Sequence, residues 1–165
     1  MGQDLNDRLS KISFLLMDCD GVLTDGRLYF SENGEALKVF DVRDGYGLAL
    51  WHKAGFRSGI ISGRKSPIVE TRARDLGIDF VWLGREEKVA AFHELVAAAN
   101  IAHEEIAFIA DDTIDLPLFP LVGLSVAVAD AHKVVEASAH YVTKASGGRG
   151  AVRELIDLLL DAKKN

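Results

Sequence analysis

Along the 165-residue chain, short apolar runs alternate with longer segments whose apolar residues recur at helical spacing. The runs are Phe14–Met17, Gly59–Ile61, Phe80–Leu83, Ile106–Ala110 and Leu124–Val128, with a weaker one at Tyr141–Val142. They are rich in Ile, Val, Leu and Phe and scarcely alternate with polar residues, the pattern of strands covered on both faces. The segments between them carry helix signals. "SPIVETRARDLG" offers Ser66 as a cap, Pro67 in the first turn and Gly77 as a stop. "EEKVAAFHELVAAAN" is alanine-rich with an apolar stripe, and "AHKVVEASA" and "GAVRELIDLLLDAKK" follow. Strand then helix, repeated, predicts an α/β fold: a Rossmann-like three-layer α/β/α sandwich around a mainly parallel sheet. No linker, repeat or low-complexity tract divides the chain, so a single domain is expected over residues 1–165.

One stretch breaks the rhythm. "GRLYFSENGEALKVFDVRDG" reads as two strands around "SENG", a β-hairpin inserted over about residues 26–43. Leu28, Tyr29, Phe30, Leu37, Val39 and Phe40 place apolar groups on both of its faces. A projecting hairpin cannot bury both faces against its own domain, so the pattern favours a contact between subunits.

Composition narrows the field. Hydrophobic residues make up 48% and charged residues 27%, as in ordinary globular domains. A formal net charge of −6 argues against nucleic acid or an anionic membrane as partner. No apolar run approaches the roughly 20 residues that span a bilayer. The polar opening "MGQDLNDRLSKI" lacks the apolar core of a signal peptide. The single cysteine, Cys19, excludes an internal disulfide framework and fits the reducing cytoplasm, where the protein is expected.

Open parallel sheets bind ligands at the carboxyl ends of their strands. Asp18 and Asp20 follow the first run, and Ser62, Gly63 and Arg64 follow the second. Lys88 opens the helix after the third, and Asp111 and Asp112 follow the fourth, with Asp115 three residues on. Taken singly, such an Asp is a cap or turn former and such a Lys is solvated. Their convergence on four successive strand ends marks one rim. That rim suits phosphoryl transfer. Carboxylates repel a phosphate dianion unless a hard cation bridges the two, and magnesium prefers one or two carboxylates plus waters and phosphate oxygens. Lys88 and Ser62 can hold the remaining phosphate oxygens. One Asp can then attack phosphorus. A second carboxyl, one residue out of phase, can protonate the leaving oxygen and later activate water.

In order, "DCDGVLTDG", "IISGR", Lys88 and "ADDTID" resemble the four motifs of the haloacid dehalogenase superfamily of phosphatases. "ENGEALKVFDVRDGYG", "ISGRKSPIVETRARDLGI", "VGLSVAVADAH", "YVT" and "GGRGAVRE" extend the likeness from about Phe14 to Leu160. Together they resemble a capless branch of that superfamily, the 3-deoxy-D-manno-octulosonate 8-phosphate phosphatases. The resemblance implies Mg2+-dependent hydrolysis of an eight-carbon sugar-acid phosphate in lipopolysaccharide core biosynthesis. It further implies an aspartyl-phosphate intermediate and a homotetramer assembled through the hairpin. Asp18 is then the nucleophile and a magnesium ligand, and Asp20 the acid–base residue, binding the metal through its carbonyl. Asp111 is the third ligand, with Asp112 behind it, and Lys88 and Ser62 bind phosphate. Asp41, Val42, Arg43, Asp44 and Gly45, read as a loop, join Asp20, Lys88, Arg64 and Arg72 as positions that contact the sugar acid, partly from a neighbouring subunit. The hairpin takes up much of the interval between Asp18 and Ser62, so no separate cap domain is expected.

Ala110 stands where a glycine usually precedes the acid pair, a change that ordinary strand backbone would tolerate. By the same resemblance, Arg64 and Arg149 favour the eight-carbon substrate over a nine-carbon sialic-acid-type 9-phosphate. A non-enzymatic receiver-like phospho-acceptor would carry adjacent acids after the first strand and its acceptor after the third, where this chain has Gly84. "GGRG" at 147–150 reads either as a loop before the last helix or as part of the rim. Cys19 reads as a small apolar side chain turned away from the rim, and the five histidines, without metal spacing, as structural or surface residues.

Overall fold

The computed structural model describes residues 3–164, so Met1, Gly2 and Asn165, the ends of the expected domain, lie outside the described residues. In chain order the elements are α1 (Gln3–Lys11), β1 (Phe14–Met17), β2 (Tyr29–Ser31), β3 (Gly34–Leu37), α2 (Val42–Lys53), β4 (Arg57–Ser62), α3 (Pro67–Asp75), β5 (Phe80–Leu83), α4 (Lys88–Ala99), β6 (Ile106–Ala110), β7 (Leu124–Ala127), α5 (Lys133–Ser138), β8 (Tyr141–Val142) and α6 (Ala151–Ala162). Short 3-10 segments cover His103–Glu105 and Thr113–Leu121.

Six strands form one sheet in the order β5-β4-β1-β6-β7-β8, and every neighbouring pair is parallel. The sheet is the expected α/β layer. β1, β6 and β7 are buried along their whole length, which is why their sequences do not alternate. From β1 the chain builds outward through β4 and β5, then returns to the other side of β1 for β6, β7 and β8. This reversal opens a crevice at the carboxyl ends of β4, β1 and β6.

Several elements differ from their expected extents for identifiable reasons. β4 begins at Arg57, two residues before its apolar run. Ser58 is buried there because its hydroxyl meets His52 Nε2 at 2.7 Å and its N–H donates to Asp79 Oδ2 at 3.0 Å. α1, which the polar N-terminal pattern did not announce, packs through Leu5 and Leu9 against the core. The expected loop Asp41–Gly45 is instead a capped helix start. Asp41 accepts the Arg43 N–H at 2.7 Å, and Val42 opens α2. Gly45 and Gly47 do not break this helix because they serve close packing. A Cβ on Gly47 would lie 3.0 Å from Arg153 Cδ on α6. Ser66 caps α3 and Pro67 opens it, as the sequence predicts.

The hairpin is real but shorter than residues 26–43. β2 and β3 form a separate antiparallel pair. Tyr29 pairs with Leu37 and Phe30 with Glu35, so Ala36 is an extra residue, a bulge, on β3. Leu28, Phe30, Leu37 and Val39 are exposed, Phe30 to 60%.

Candidate active site

The crevice holds the predicted acids because of strand register. Met17 pairs with Ile60 on one side and Ile109 on the other, and the Asp18 N–H continues the ladder to the Ile109 carbonyl at 3.0 Å. Asp18, Ser62 and Asp111 therefore emerge at one edge. Ala110 is an ordinary buried strand residue, so the missing glycine costs nothing. Past Asp18 the chain bends sharply, with the Cys19 carbonyl accepting the N–H groups of Val22, Leu23 and Thr24. Gly21 makes the bend with φ +87°, and a Cβ there would lie 2.0 Å from Asp111 Oδ2. Thr24 Oγ1 accepts the N–H groups of Gly21 and Gly26.

Gly147 and Gly148 lie directly beneath this turn. A Cβ on Gly147 would lie 1.8 Å from the Gly21 carbonyl oxygen, and the Gly148 N–H donates to the Val22 carbonyl at 2.8 Å. "GGRG" is thus a brace for the turn. Arg149 is exposed, and its carbonyl accepts a 2.7 Å bond from the Arg43 guanidinium.

Lys88 opens α4, and its buried ammonium donates to Asp18 Oδ1 at 2.8 Å and to Asp115 Oδ1 at 2.6 Å. Asp115 is fully buried, and its Oδ2 has no hydrogen-bond partner. One oxygen each from Asp18, Asp111 and Asp115 fall within 4.8 Å of one another. Burial raises the Asp18 carboxyl above its ordinary range. Lys88 opposes this and Asp115 adds to it. Asp111 is pushed up to about 8, by burial first and then by the charges of Asp18, Asp115 and Asp112. Burial pulls Lys88 down, but Asp18 and Asp115 outweigh it and hold the ammonium above its usual value. An orphaned buried oxygen among acids that resist ionisation fits a divalent cation, which removes the mutual repulsion.

Asp112 caps the following 3-10 segment, accepting the Thr113 N–H at 2.6 Å, and lines the same hollow. The Asp111 carbonyl accepts the His132 N–H at 2.8 Å, while the His132 ring caps α5. Burial, then the charges of Asp20 and Asp18, push the Cys19 thiol far up, so it is no nucleophile. Asp20 turns Oδ1 to the Lys38 ammonium, and its Oδ2 lies 3.6 Å from Arg64 Nε.

The predicted residues thus fall into two groups. Asp18, Asp20, Ser62, Arg64, Lys88, Asp111 and Asp112 line one hollow. Asp41, Val42, Arg43, Asp44 and Gly45, at the start of α2, and Arg72, on α3, lie outside it. Asp44 is buried and accepts the Gly150 and Arg153 N–H groups, capping α6. The Arg72 guanidinium lies against Gly45 and 5.7 Å from the Phe40 ring centroid. Two site residues had no assigned part in the sequence reading. Asp115 was visible as a lone acid in the apolar stretch after Asp112. Lys38 had no signal, because only the bulge turns it inward.

Residues 78–155 match the haloacid dehalogenase-like hydrolase family. The 3-deoxy-D-manno-octulosonate 8-phosphate phosphatase KdsC of Escherichia coli K12 is 48% identical over 160 residues, covering 97% of this chain and 85% of that protein. The crystal structure of the Yersinia pestis 3-deoxy-D-manno-octulosonate 8-phosphate phosphatase superposes with a TM-score of 0.96 at 46% identity, over 99% of this chain and 89% of that one. That of the Moraxella catarrhalis phosphatase, in complex with a magnesium ion, a phosphate ion and a KDO molecule, superposes with a TM-score of 0.95 at 33% identity, over 100% and 95%. By its rim of acids, its fold and nearly full-length kinship, this chain belongs to the 3-deoxy-D-manno-octulosonate 8-phosphate phosphatase family of haloacid dehalogenase-like hydrolases.

Proposed function

We propose that the chain hydrolyses 3-deoxy-D-manno-octulosonate 8-phosphate to the free sugar acid and phosphate, a step of lipopolysaccharide core biosynthesis. The carrying observation is the meeting of Asp18, Asp20, Ser62, Lys88 and Asp111 around one hollow, in a chain nearly half identical to phosphatases of that name. Asp18 attacks phosphorus, and the P–O bond to the sugar breaks. Asp20 gives its proton to the departing alkoxide, leaving an aspartyl-phosphate on Asp18. Asp20 then takes a proton from the water that attacks phosphorus, which releases phosphate and frees Asp18. Lys88 and Ser62 hold phosphate oxygens. Asp18, the Asp20 carbonyl and Asp111 would hold Mg2+, with Asp112 behind them. The bound ion supplies the positive charge that lets a phosphate dianion approach carboxylates.

Purified protein releases phosphate from the eight-carbon sugar-acid phosphate in preference to a nine-carbon sialic-type phosphate, hexose phosphates and an aryl phosphate, and chelation abolishes release. Activity on the aryl phosphate alone would keep the chemistry and discard the substrate.

We further propose a cytoplasmic homotetramer built through the hairpin. Exposed Leu28, Phe30, Leu37 and Val39 support it. So does the second group of residues: Arg43 and Arg72 do not line this chain's own hollow, and in the assembly they would meet the sugar acid of a neighbour, where guanidinium pairs with carboxylate. The lone thiol and the lack, among the described residues, of a helix long and apolar enough to cross a membrane support the location; recovery of activity in a membrane pellet would overturn it. Light scattering then reads four times 18.0 kDa, and Phe30→Glu lowers that mass. A wild-type monomer would refute the assembly.

A further inference from the structure

Lys38 lies at the foot of the hairpin, just past β3, with its side chain 1% exposed. No part of the chemistry above uses it. Strict alternation along β3 would put residues 35 and 37 on one face. The extra residue at Ala36 shifts the phase, so Glu35 and Lys38 face the crevice together. There the Lys38 ammonium bonds Asp20 Oδ1 and lies 3.1 Å from Glu35 Oε1. Glu35 is tied in turn to the body of the domain, accepting the Ser66 hydroxyl at the cap of α3 and standing 3.7 Å from Arg64. Arg64 reaches Asp20 from the other side but is 42% exposed. The firmly held contact on the Asp20 carboxylate is therefore the one from the hairpin.

We propose that Lys38 is the positioning residue for Asp20: it pins Oδ1 and leaves Oδ2 as the oxygen that carries the proton to the leaving group. This rests on Asp20 acting as the general acid. An isolated two-stranded hairpin is marginal in water, so the acid depends on an element that the domain holds through Glu35 as well as Lys38. In the proposed step the Oδ2 proton passes to the sugar alkoxide as the P–O bond breaks, and Asp20 is left as a carboxylate still bonded to Lys38.

A leaving group that needs no proton tests this without reference to stability. kcat/KM reports events up to departure of the leaving group. It is measured for the alkyl sugar phosphate and for 4-nitrophenyl phosphate with wild type, Lys38→Met, Lys38→Arg and Asp20→Asn. General-acid help is worth about 10² to 10⁴-fold. Lys38→Met should therefore lower kcat/KM for the alkyl phosphate by about 10²-fold and for the aryl phosphate by less than about fivefold, and Lys38→Arg should recover most of the loss. Equal losses on both substrates, or none on the alkyl phosphate, would overturn the role of Lys38. If the methionine variant does not fold, Lys38→Gln is read in the same ratio. Asp20→Asn separates the two readings. If it shows no leaving-group dependence, the general-acid assignment fails. If it does and the Lys38 variants do not, only the positioning role fails.

Discussion

Asp18→Asn loses turnover by at least ~10⁴-fold, the scale on which removal of a nucleophile acts when the remaining site is intact, and it melts no lower than wild type. The side chain is nearly isosteric, and its carbonyl can still accept from Lys88. Burial and Asp115 already oppose ionisation of Asp18, so an uncharged group there relieves repulsion without opening a cavity. A steady-state assay beside a thermal melt checks both halves. Retention of more than about a hundredth of the activity would rule out Asp18 as the attacking group.

Lys88→Met damages both activity and fold. It removes the cation proposed to hold phosphate, worth about 10²- to 10³-fold in kcat by analogy with other preorganised groups. It also strands Asp18 and Asp115, both buried, without their shared cation. Breaking a buried pair from one side costs about 3–5 kcal/mol, or roughly 10 °C in melting temperature for a chain of this size. The loss depends on pH in a definite direction. A carboxyl whose folded pKa lies above its unfolded value destabilises the fold only when ionised. The cost is absent below the unfolded pKa, grows as pH rises, and is complete above the folded pKa. Asp18 and Asp115 are already raised in the wild-type protein, and losing Lys88 raises them further. In metal-free protein the gap between variant and wild type is therefore small at pH 5 and large at pH 8. A gap independent of pH would show that the lysine's packing matters and its charge does not.

The sheet was legible because burial on both faces erases alternation, so β1 and β6 stand out as apolar runs that match their observed ends; β5 matches its run too, but as an edge strand it is only half-buried, with Val81 exposed, not covered on both faces as its sequence suggested. The acids were legible for a related reason. Carboxylates placed directly after such runs have few structural uses, and strand register carries them to one rim. α2 was hidden because its glycines look like loop residues until α6 and Arg72 are seen against them. Lys38 was hidden because its orientation depends on a bulge, which shifts the phase of a strand without leaving a mark in the residues. In the proposed assembly Arg43 and Arg72 would act on a second copy, which one chain's sequence does not place.

The brace under the catalytic turn has a consequence in time. Gly21 lies near the start of the chain, while Gly147 and Gly148, on which its turn rests, come almost at the end. A ribosome exposes Asp18 and Asp20 long before it exposes the support that shapes the bend between them and Asp111. β1 waits in the same way for β6 to complete its ladder. The growing chain therefore carries both acids for most of its synthesis without a formed phosphatase site. The bend between the acids gains its support only after the segment that carries Gly147 and Gly148 has been made.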